Sequence, residues 1–555
     1  MPDPRDLLDR LKRLKDKRTN FDTLWDEVKH YVWPDGDDFL EKRSPGEKTT
    51  RRLYESSAAN ALDKFTSAME SFLVPSHIRW HGLRSIDDNL NERREVKEFF
   101  ELLTRRLFQL RQNPAARFYG QFGENLRSLG AYGNGCIFLD EARSGLGFRY
   151  RHIPVGKVWI EDDYQGVVDT VFYEYKLTAR QAQTKWPHDV PEYAAVALER
   201  GRPDDEFTYV HAVLPNDPDK VDPEAVTPQG MPFMAYDIEV ESQSFISRPI
   251  GDDGVVEYES GFFEMPYIWS RFTLNPNETY GRGPAMLALP DILTLQEMEK
   301  TFMRSGHKVA DPPLLAAHDG RLGRGRRKVR LNPGGINWGA VDEAGRPKIV
   351  PLQTGARLDL TLEMEDRKRD AIEDAFFVKI FDVLAKDRVE MTATEVIERS
   401  REKGLLVAPV VRRQQSELLG PMIEREISIL QRQGLLPEVP EALVESGGQF
   451  DIEYDTLATR MQQSDEVASY QRLLAVFGPQ AELDPSLLQV LRAEDAMRAF
   501  GEDMGIRTNL FRSQDEMTQL REDQKAAAER QQVVENLPST ANAAKTIAEI
   551  GGGQS

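Results

Sequence analysis

Two long helical stretches, held apart by a segment that cannot be helical, constrain this chain more than any other feature. The first follows Tyr280-Gly-Arg-Gly-Pro284 and is predicted over roughly 285–308, with Ile292, Leu295, Met298 and Phe302 recurring on one face. Asp311-Pro-Pro313 stops it. Residues 314–356 are glycine-rich, with short patterns that read as β. The second stretch is predicted from about Leu358 to Lys386, a length of roughly 40–45 Å at about 1.5 Å per residue. Two such helices around a compact insert read as a protruding antiparallel hairpin with a small cap.

The same periodicities order the rest. The first 135 residues are expected to be helical. Leu7, Leu8, Leu11 and Leu14 form one stripe, continued by Phe21, Leu24, Trp25 and Val28. Residues 58–73 form a second segment stopped by Pro75, and 92–111 a third stopped near Asn113-Pro114. Phe118–Leu129 forms a fourth, ended by Gly130. From about residue 136 the period shortens: Ile137–Glu141 and Phe148–Ile153 read as paired strands joined through Gly145 and Gly147. Residues 234–241 alternate as a half-buried strand, and Gly251-Asp-Asp-Gly254 is a turn. Residues 201–233, rich in Pro and Asp, read as an exposed loop. Thr392 and Glu395 match a capping box, so a helix is expected there with Gly404 as its C-cap. Pro409, Gly420 and Pro421 should kink the helical residues 409–433 before Gly434 ends them. Residues 456–550 read as mostly helical, with a frayed Gly551-Gly-Gly553 end.

Composition narrows the function classes. At 555 residues the chain is long enough for about three or four domains. Lys plus Arg total 72 against 92 Asp plus Glu, a net charge of −20, so its overall field does not hold it on DNA. The single cysteine, Cys136, excludes an intramolecular disulfide framework and any multi-cysteine zinc site. That usage suits a reducing cytoplasm. No run of about 18 apolar residues exists, so no transmembrane helix is expected. Met1-Pro-Asp-Pro-Arg-Asp-Leu-Leu8 lacks the apolar core of a signal peptide, and secretory export is not expected.

Catalytic chemistry is hard to assemble from these residues. GxxxxGK[ST], HExxH and GxSxG are all absent. Gly130-Ala-Tyr-Gly133-Asn-Gly135 lies between a helix and a strand, the wrong order for a dinucleotide fingerprint, and reads as a tight turn. His77 and His81 sit at i,i+4, but no carboxylate lies between them. The acidic pairs Asp37/Asp38, Asp87/Asp88, Asp162/Asp163, Asp204/Asp205 and Asp252/Asp253 sit among turn residues. Asp217–Asp222 lacks the glycine and distal glutamate of a calcium loop. No catalytic residue, metal or cofactor is therefore expected. Two basic features stand out instead. Arg321, Arg324, Arg326, Arg327, Lys328 and Arg330 crowd one short run without an acid. Lys300, Arg304 and Lys308 form one stripe opposite Met298 and Phe302.

Several stretches, in this order, resemble the head-to-tail connector, or portal, proteins of short-tailed double-stranded DNA bacteriophages. They include Ser57-Ala-Ala-Asn60 through Pro75-Ser-His-Ile-Arg-Trp80, and Phe118-Tyr-Gly-Gln-Phe122 through Tyr132-Gly-Asn-Gly135. Tyr280-Gly-Arg-Gly-Pro-Ala285, Leu289-Pro-Asp-Ile292, Asp311-Pro-Pro-Leu-Leu315 and Asn332-Pro-Gly-Gly-Ile-Asn337 follow. The strongest is Met391-Thr-Ala-Thr-Glu-Val396, then Glu417-Leu-Leu-Gly-Pro421 and Gly434-Leu-Leu-Pro437. The resemblance covers roughly residues 1–480.

It implies an α+β, mainly helical portal fold that assembles as a ring, usually of twelve subunits, around a central channel. Residues 1–283 would be the wing, strand-rich over 136–283. Residues 284–309 and 357–386 would be the stem helices, 310–356 a small α/β clip and 387–391 the channel loop. Residues 392–434 would be the kinked wing and crown helix, 435–520 the helical crown and 521–555 a polar tail. Lys300, Arg304, Lys308, Lys386 and Arg388 would face the channel and its DNA, and the arginine-rich run 321–330 would dock clip partners. The implied partners are further copies of the chain, the terminase large subunit, the major capsid protein, scaffold protein, tail or adaptor proteins and double-stranded DNA. The rival reading is a metal-dependent nuclease or another packaging factor built on the acidic pairs.

Overall fold

The computed structural model describes residues 2–40, 44, 46–76, 78–142, 145–222, 227–246, 248–250, 255–257, 260–316, 332, 334, 336–338, 340–342, 344–352, 358–381, 406–455, 497 and 516–524. The chain divides into two units, Met1–Ile78 with Gln109–Leu435, and Arg79–Phe108 with Leu436–Ser555. The elements begin with α1 (Pro4–Tyr31), α2 (Ser57–Leu73), β1 (His81–Ser85), α3 (Asp88–Asn91), α4 (Arg94–Gln112) and α5 (Phe118–Tyr132). Then come β2 (Asn134–Glu141), β3 (Phe148–His152), β4 (Val158–Asp162), β5 (Val168–Thr178), α6 (Ala179–Lys185), α7 (Glu192–Glu199), β6 (Glu206–Pro215) and β7 (Phe233–Glu239). They are followed by β8 (Ser244–Phe245), β9 (Arg248–Ile250), β10 (Val255–Glu257), β11 (Ser260–Phe262), β12 (Tyr267–Arg271) and α8 (Pro284–Ala310). The last are β13 (Leu314–Ala316), β14 (Ile349–Pro351), α9 (Leu358–Ala375), α10 (Gly420–Arg432) and β15 (Phe450–Tyr454). This mixture is α+β.

In the first unit, α1 starts where Asp3 accepts from the Arg5 N–H at 2.8 Å. Its stripe Leu7, Leu11 and Leu14 packs on the sheet residues Trp159, Phe172, Val210, Ala212, Met234, Tyr236 and Ile238. Each leucine so buried contributes roughly 1.5–3 kcal/mol before the entropy cost. The sheet is antiparallel in the order β11-β7-β6-β5-β4, with β8 sharing the outer edge of β7. β6 corrects the expected loop over 201–233. The run Tyr209-Val-His-Ala-Val-Leu214 is buried between its Pro- and Asp-rich flanks, so composition averaged over the window hid a central strand. β7 corrects the half-buried expectation for 234–241. Its second face is buried as well, because Asp237 meets Lys185 at 3.4 Å and Glu239 accepts from Ser242 Oγ at 2.7 Å.

A second sheet, β12-β2-β3, pairs Ile137 with His152 through the expected Gly145 and Gly147 turn, both glycines at positive φ. α5 corrects the expected stop at Gly130. The helix runs through to Tyr132, and Gly133 ends it at φ 71. Gly130 is there for closeness: a Cβ on it would lie 2.7 Å from Leu62 and 2.8 Å from Phe65 on α2. The helical residues 406–432 carry a π turn over Gln415–Leu419, where the sequence pointed to breaks at Pro409, Gly420 and Pro421. The wide turn lets both Gln414 and Glu417 hold Arg271. Gln414 donates to the Arg271 carbonyl at 2.8 Å, and Glu417 accepts from the Arg271 N–H at 2.9 Å and from its guanidinium.

Beside α1, Asp37 accepts from the Gly156 N–H at 3.2 Å, and burial pushes its carboxyl up to about 6. The folded state therefore keeps a proton that the unfolded chain releases near 3.8. Stability from this group is full below that value and is lost as pH rises to about 6. Asp37→Asn keeps the acceptor and removes the titration. Urea unfolding at pH 4, 5 and 7 should show that the wild type loses on the order of 1–2 kcal/mol more than the variant across that range, after allowance for partial exposure.

In the second unit, β1 pairs antiparallel with β15, His81 opposite Tyr454. This strand pair corrects the all-helical expectation for the first 135 residues. α4 buries Val96, Phe99, Phe100, Leu103 and Leu107. Of the expected helical tail 456–550, only 497 and 516–524 are described, and the capping box at Thr392, Gly404 and the Gly251–Gly254 turn lie outside the described residues.

Candidate stem hairpin

The hairpin begins at a junction of glycines. Gly133 and Gly283 touch through their backbones: a Cβ on Gly283 would lie 2.7 Å from the Gly133 nitrogen. Asn134, fully buried, donates to the Tyr132 and Gly281 carbonyls at 2.8 and 3.0 Å and accepts from the Gly281 N–H at 2.7 Å. The two glycine motifs read separately in the sequence are thus one contact, and it aims α8. Pro284 opens the helix without losing a hydrogen bond.

α8 changes character along its length. Its first half buries Ala285, Met286, Ala288, Leu289, Ile292 and Leu295, while no residue after Gln296 is buried. Gln296 itself is a latch for the segment before α2. Its Oε1 accepts from the Tyr54 and Glu55 N–H groups at 2.8 and 3.2 Å, and its Nε2 donates to the Glu55 carbonyl at 2.6 Å. Gln296 is not legible in the sequence, since a lone glutamine on a helix carries no local signal.

The β13–β14 ladder brings the exit of α8 beside the entry to α9, with the Leu352 N–H donating to the Pro313 carbonyl at 2.8 Å. α9 then packs along α8. Lys368 bonds Asp291 at 2.6 Å. Arg369 reaches Glu55 at 3.5 Å, Glu299 at 3.7 Å and Asp366 at 3.0 Å. Burial of the neighbouring Glu365 raises its carboxyl above the usual range. The expected unbroken helix to Lys386 is corrected here. α9 ends at Ala375, Phe377 takes φ 58, and a further helical turn follows at 378–381. The break seats Phe376 and Val378 in the core, with Phe376 6.3 Å from Phe65. At 18 residues the helix spans about 27 Å.

Of the expected channel cations, Lys300, Arg304 and Lys308 lie on the outer part of α8. Lys300 bonds Glu297 at 2.6 Å, while Arg304 and Lys308 are exposed and have no carboxylate partner among the described residues. Lys386, Arg388 and the run Arg321, Arg324, Arg326, Arg327, Lys328 and Arg330 lie outside the described residues.

Members of the acidic pairs are engaged by groups of the chain itself. Asp38 holds Lys29 at 2.7 Å, Asp87 accepts from the Asn89 N–H at 3.0 Å, and Asp162 accepts from Thr279 Oγ1 at 3.0 Å. Asp252 and Asp253 lie outside the described residues. His81 lies on strand β1 with its ring 4.9 Å from that of Phe108, and His77 lies outside the described residues. Among the described residues, no group of three or more His, Cys, Asp or Glu is placed to hold a metal ion. Among them, too, no helix is long and apolar enough to cross a membrane.

A family model described as bacteriophage head to tail connecting protein matches residues 5–511, and the chain belongs to that family. Among its relatives, a "Portal protein" of Salmonella phage epsilon15 is 26% identical over 98% of this chain and 95% of its own length. A "Probable portal protein" of Bordetella phage BPP-1 is 25% identical, with the same coverage of 98% and 95%. A chain of the solved structure described as "Virion of native gene transfer agent (GTA) particle" overlays 78% of this chain and 88% of its own at 11% identity and a TM-score of 0.33, too loosely to transfer any detail.

Proposed function

We propose that this chain is the subunit of a phage portal. Copies form a ring at one vertex of the head, through which double-stranded DNA enters during packaging and leaves on ejection. The observation that carries this reading is the family match over residues 5–511. The stem-like pairing of α8 and α9 beneath the β13–β14 ladder agrees with it.

On this reading the chain is a structural component of the virion, assembled in the host cytoplasm, and performs no bond-making chemistry. The ring, of twelve copies, seats in the major capsid protein shell with help from scaffold protein. It docks the terminase large subunit during packaging and tail or adaptor proteins afterwards, with residues 310–356 as the clip. The exposed apolar side chains of the hairpin favour assembly: Leu287, Met303 and Val309 on α8, Leu362 and Met364 on α9, and Trp338, 81% exposed, in the insert. A net charge of −20 per subunit repels phosphates and suits a conduit rather than a clamp. The α8 cations then have two surfaces to meet, the DNA or the neighbouring copy.

Negative-stain electron microscopy over a range of concentrations tests the proposal. Rings with a central hole, near twelvefold in top view and stalked in side view, are the expected result. Compact monomers or dimers at every concentration, with scaffold protein added, would overturn it and call for a metal-dependent nuclease assay.

A further inference from the structure

The hairpin has two unlike edges. On the outer part of α8, the residues that pack inward include Met298, Phe302 and Ser305, all partly buried. At about 100° per residue, Lys300, Arg304 and Lys308 project from the opposite side, Arg304 and Lys308 exposed and Lys300 partly covered, its Nζ 5.8 Å from the Tyr54 ring centre. With them sits Glu297, bonded to Lys300. That edge carries more positive than negative charge.

α9 is the converse. Its inward face is set by the buried Glu365 and Ile372. Opposite them lie Glu363, Asp366, Asp370 and Asp374, whose side chains are 64%, 74%, 65% and 60% exposed. Arg367 bonds Glu363 on this edge at 2.7 Å, Arg369 bonds Asp366 at 3.0 Å, and Lys379 lies 3.2 Å from both Asp370 and Asp374. These pairs lie on one helix or its next turn, are open to solvent and exchange readily. The edge remains acidic on balance.

The two ridges match in pitch. Lys300, Arg304 and Lys308 recur every four residues, and so do Asp366, Asp370 and Asp374. Each set spans about 12 Å of helix. Because α8 and α9 pack against each other, the basic ridge faces away from α9 and the acidic ridge away from α8. A plate with one basic and one acidic edge satisfies both edges only by meeting another such plate head to tail. That contact is heterologous, and it closes into a ring when the rotation allows.

The geometry points to the neighbouring copy as the partner of the α8 cations: the Lys300–Arg304–Lys308 ridge of one subunit pairs with the Asp366–Asp370–Asp374 ridge of the next. This inference rests on the ring reading above and names the contact that selects its direction. Like charges on two copies in any other pairing oppose association. Arg304 and Lys308 then act as partners of protein carboxylates rather than of DNA phosphates.

The test is charge exchange in the full-length chain, read by analytical ultracentrifugation and electron microscopy at low and high salt. The wild-type rings should loosen as salt screens the ridge. Reversal of the basic ridge (Lys300→Glu, Arg304→Glu, Lys308→Glu) should raise the concentration for half-assembly by about tenfold or more, and so should reversal of the acidic ridge (Asp366→Lys, Asp370→Lys, Asp374→Lys). A chain carrying both reversals should assemble again. The two singly reversed chains, mixed, should co-assemble in alternation while neither assembles alone. Circular dichroism melts of each chain show that it is folded, and the mixing arm stands even where the double reversal fails to fold.

If wild-type rings form but basic-ridge reversal leaves assembly intact and lowers only DNA retention, the ridge faces DNA and the inference fails while the portal reading stands. Folded single reversals that lose assembly, yet recover neither on mixing nor in the double reversal, also overturn it. A wild-type chain that never forms rings sinks both readings together.

Discussion

Glu426→Ala is expected to destabilise the first unit by roughly 3–5 kcal/mol, the cost of leaving a buried charge without its partner. Glu426 on α10 is fully buried, and so is Arg111 in the last turn of α4. The Arg111 Nε donates to both Glu426 oxygens at 3.0 and 3.1 Å, its Nη2 bonds the same carboxylate, and the Tyr150 hydroxyl of β3 donates to it as well. Removing the carboxylate takes from the buried guanidinium the charge that balances it. The loss would approach the whole margin of a typical domain. The paired replacement Arg111→Met with Glu426→Leu should cost far less, because it removes both charges and keeps most of the volume. Urea denaturation of the three variants separates these outcomes. A Glu426→Ala loss under about 1 kcal/mol would mean that water reaches Arg111, and the pair would then not hold the unit together.

What the sequence disclosed follows from how local each signal is. The α1 stripe was legible because Leu7, Leu11 and Leu14 repeat at the helical period, and α8 was legible for the same reason. The β1–β15 pair was not, because register between His81 and Tyr454 is fixed by partners far apart in the chain. β6 was lost beneath the prolines and aspartates that flank it. At the candidate site the cations of α8 stood out against an acidic chain, whereas the matching acids of α9 did not. Among 92 acidic residues, four on one helix face draw no notice until burial says which way they point. The latch at Gln296 and the grip of Glu417 on Arg271 depend on backbone groups, which sequence patterns do not record. The π turn that permits the second came from the same blind spot: Gly420-Pro421 marked the place but not the kind of distortion.

The same substitution at two glycines of α8's neighbourhood should have opposite signs. Gly283→Ala is expected to cost at least about 3 kcal/mol and to abolish assembly, because its Cβ would lie 2.7 Å from the Gly133 nitrogen, 2.9 Å from the Leu129 carbonyl oxygen and 3.0 Å from that of Gly130. All three are backbone atoms, so no side chain can swing aside. The backbone cannot give way cheaply either. Gly133 is held at φ 71 as the end of α5, and Asn134 fastens Gly281 through both its N–H and its carbonyl. Separating the two segments would break those bonds and tilt the start of α8, and with it the hairpin that presents both charged ridges. Gly306 lies in the outer part of the same helix, and a Cβ there would meet nothing within 4 Å. Gly306→Ala should therefore stabilise the chain by about 0.5–1 kcal/mol, through the lower entropy of the unfolded state and better helix propensity, and should leave rings intact. Urea midpoints and electron micrographs of the two variants decide the matter. Equal effects at the two sites would show that the glycine junction is not what directs the helix.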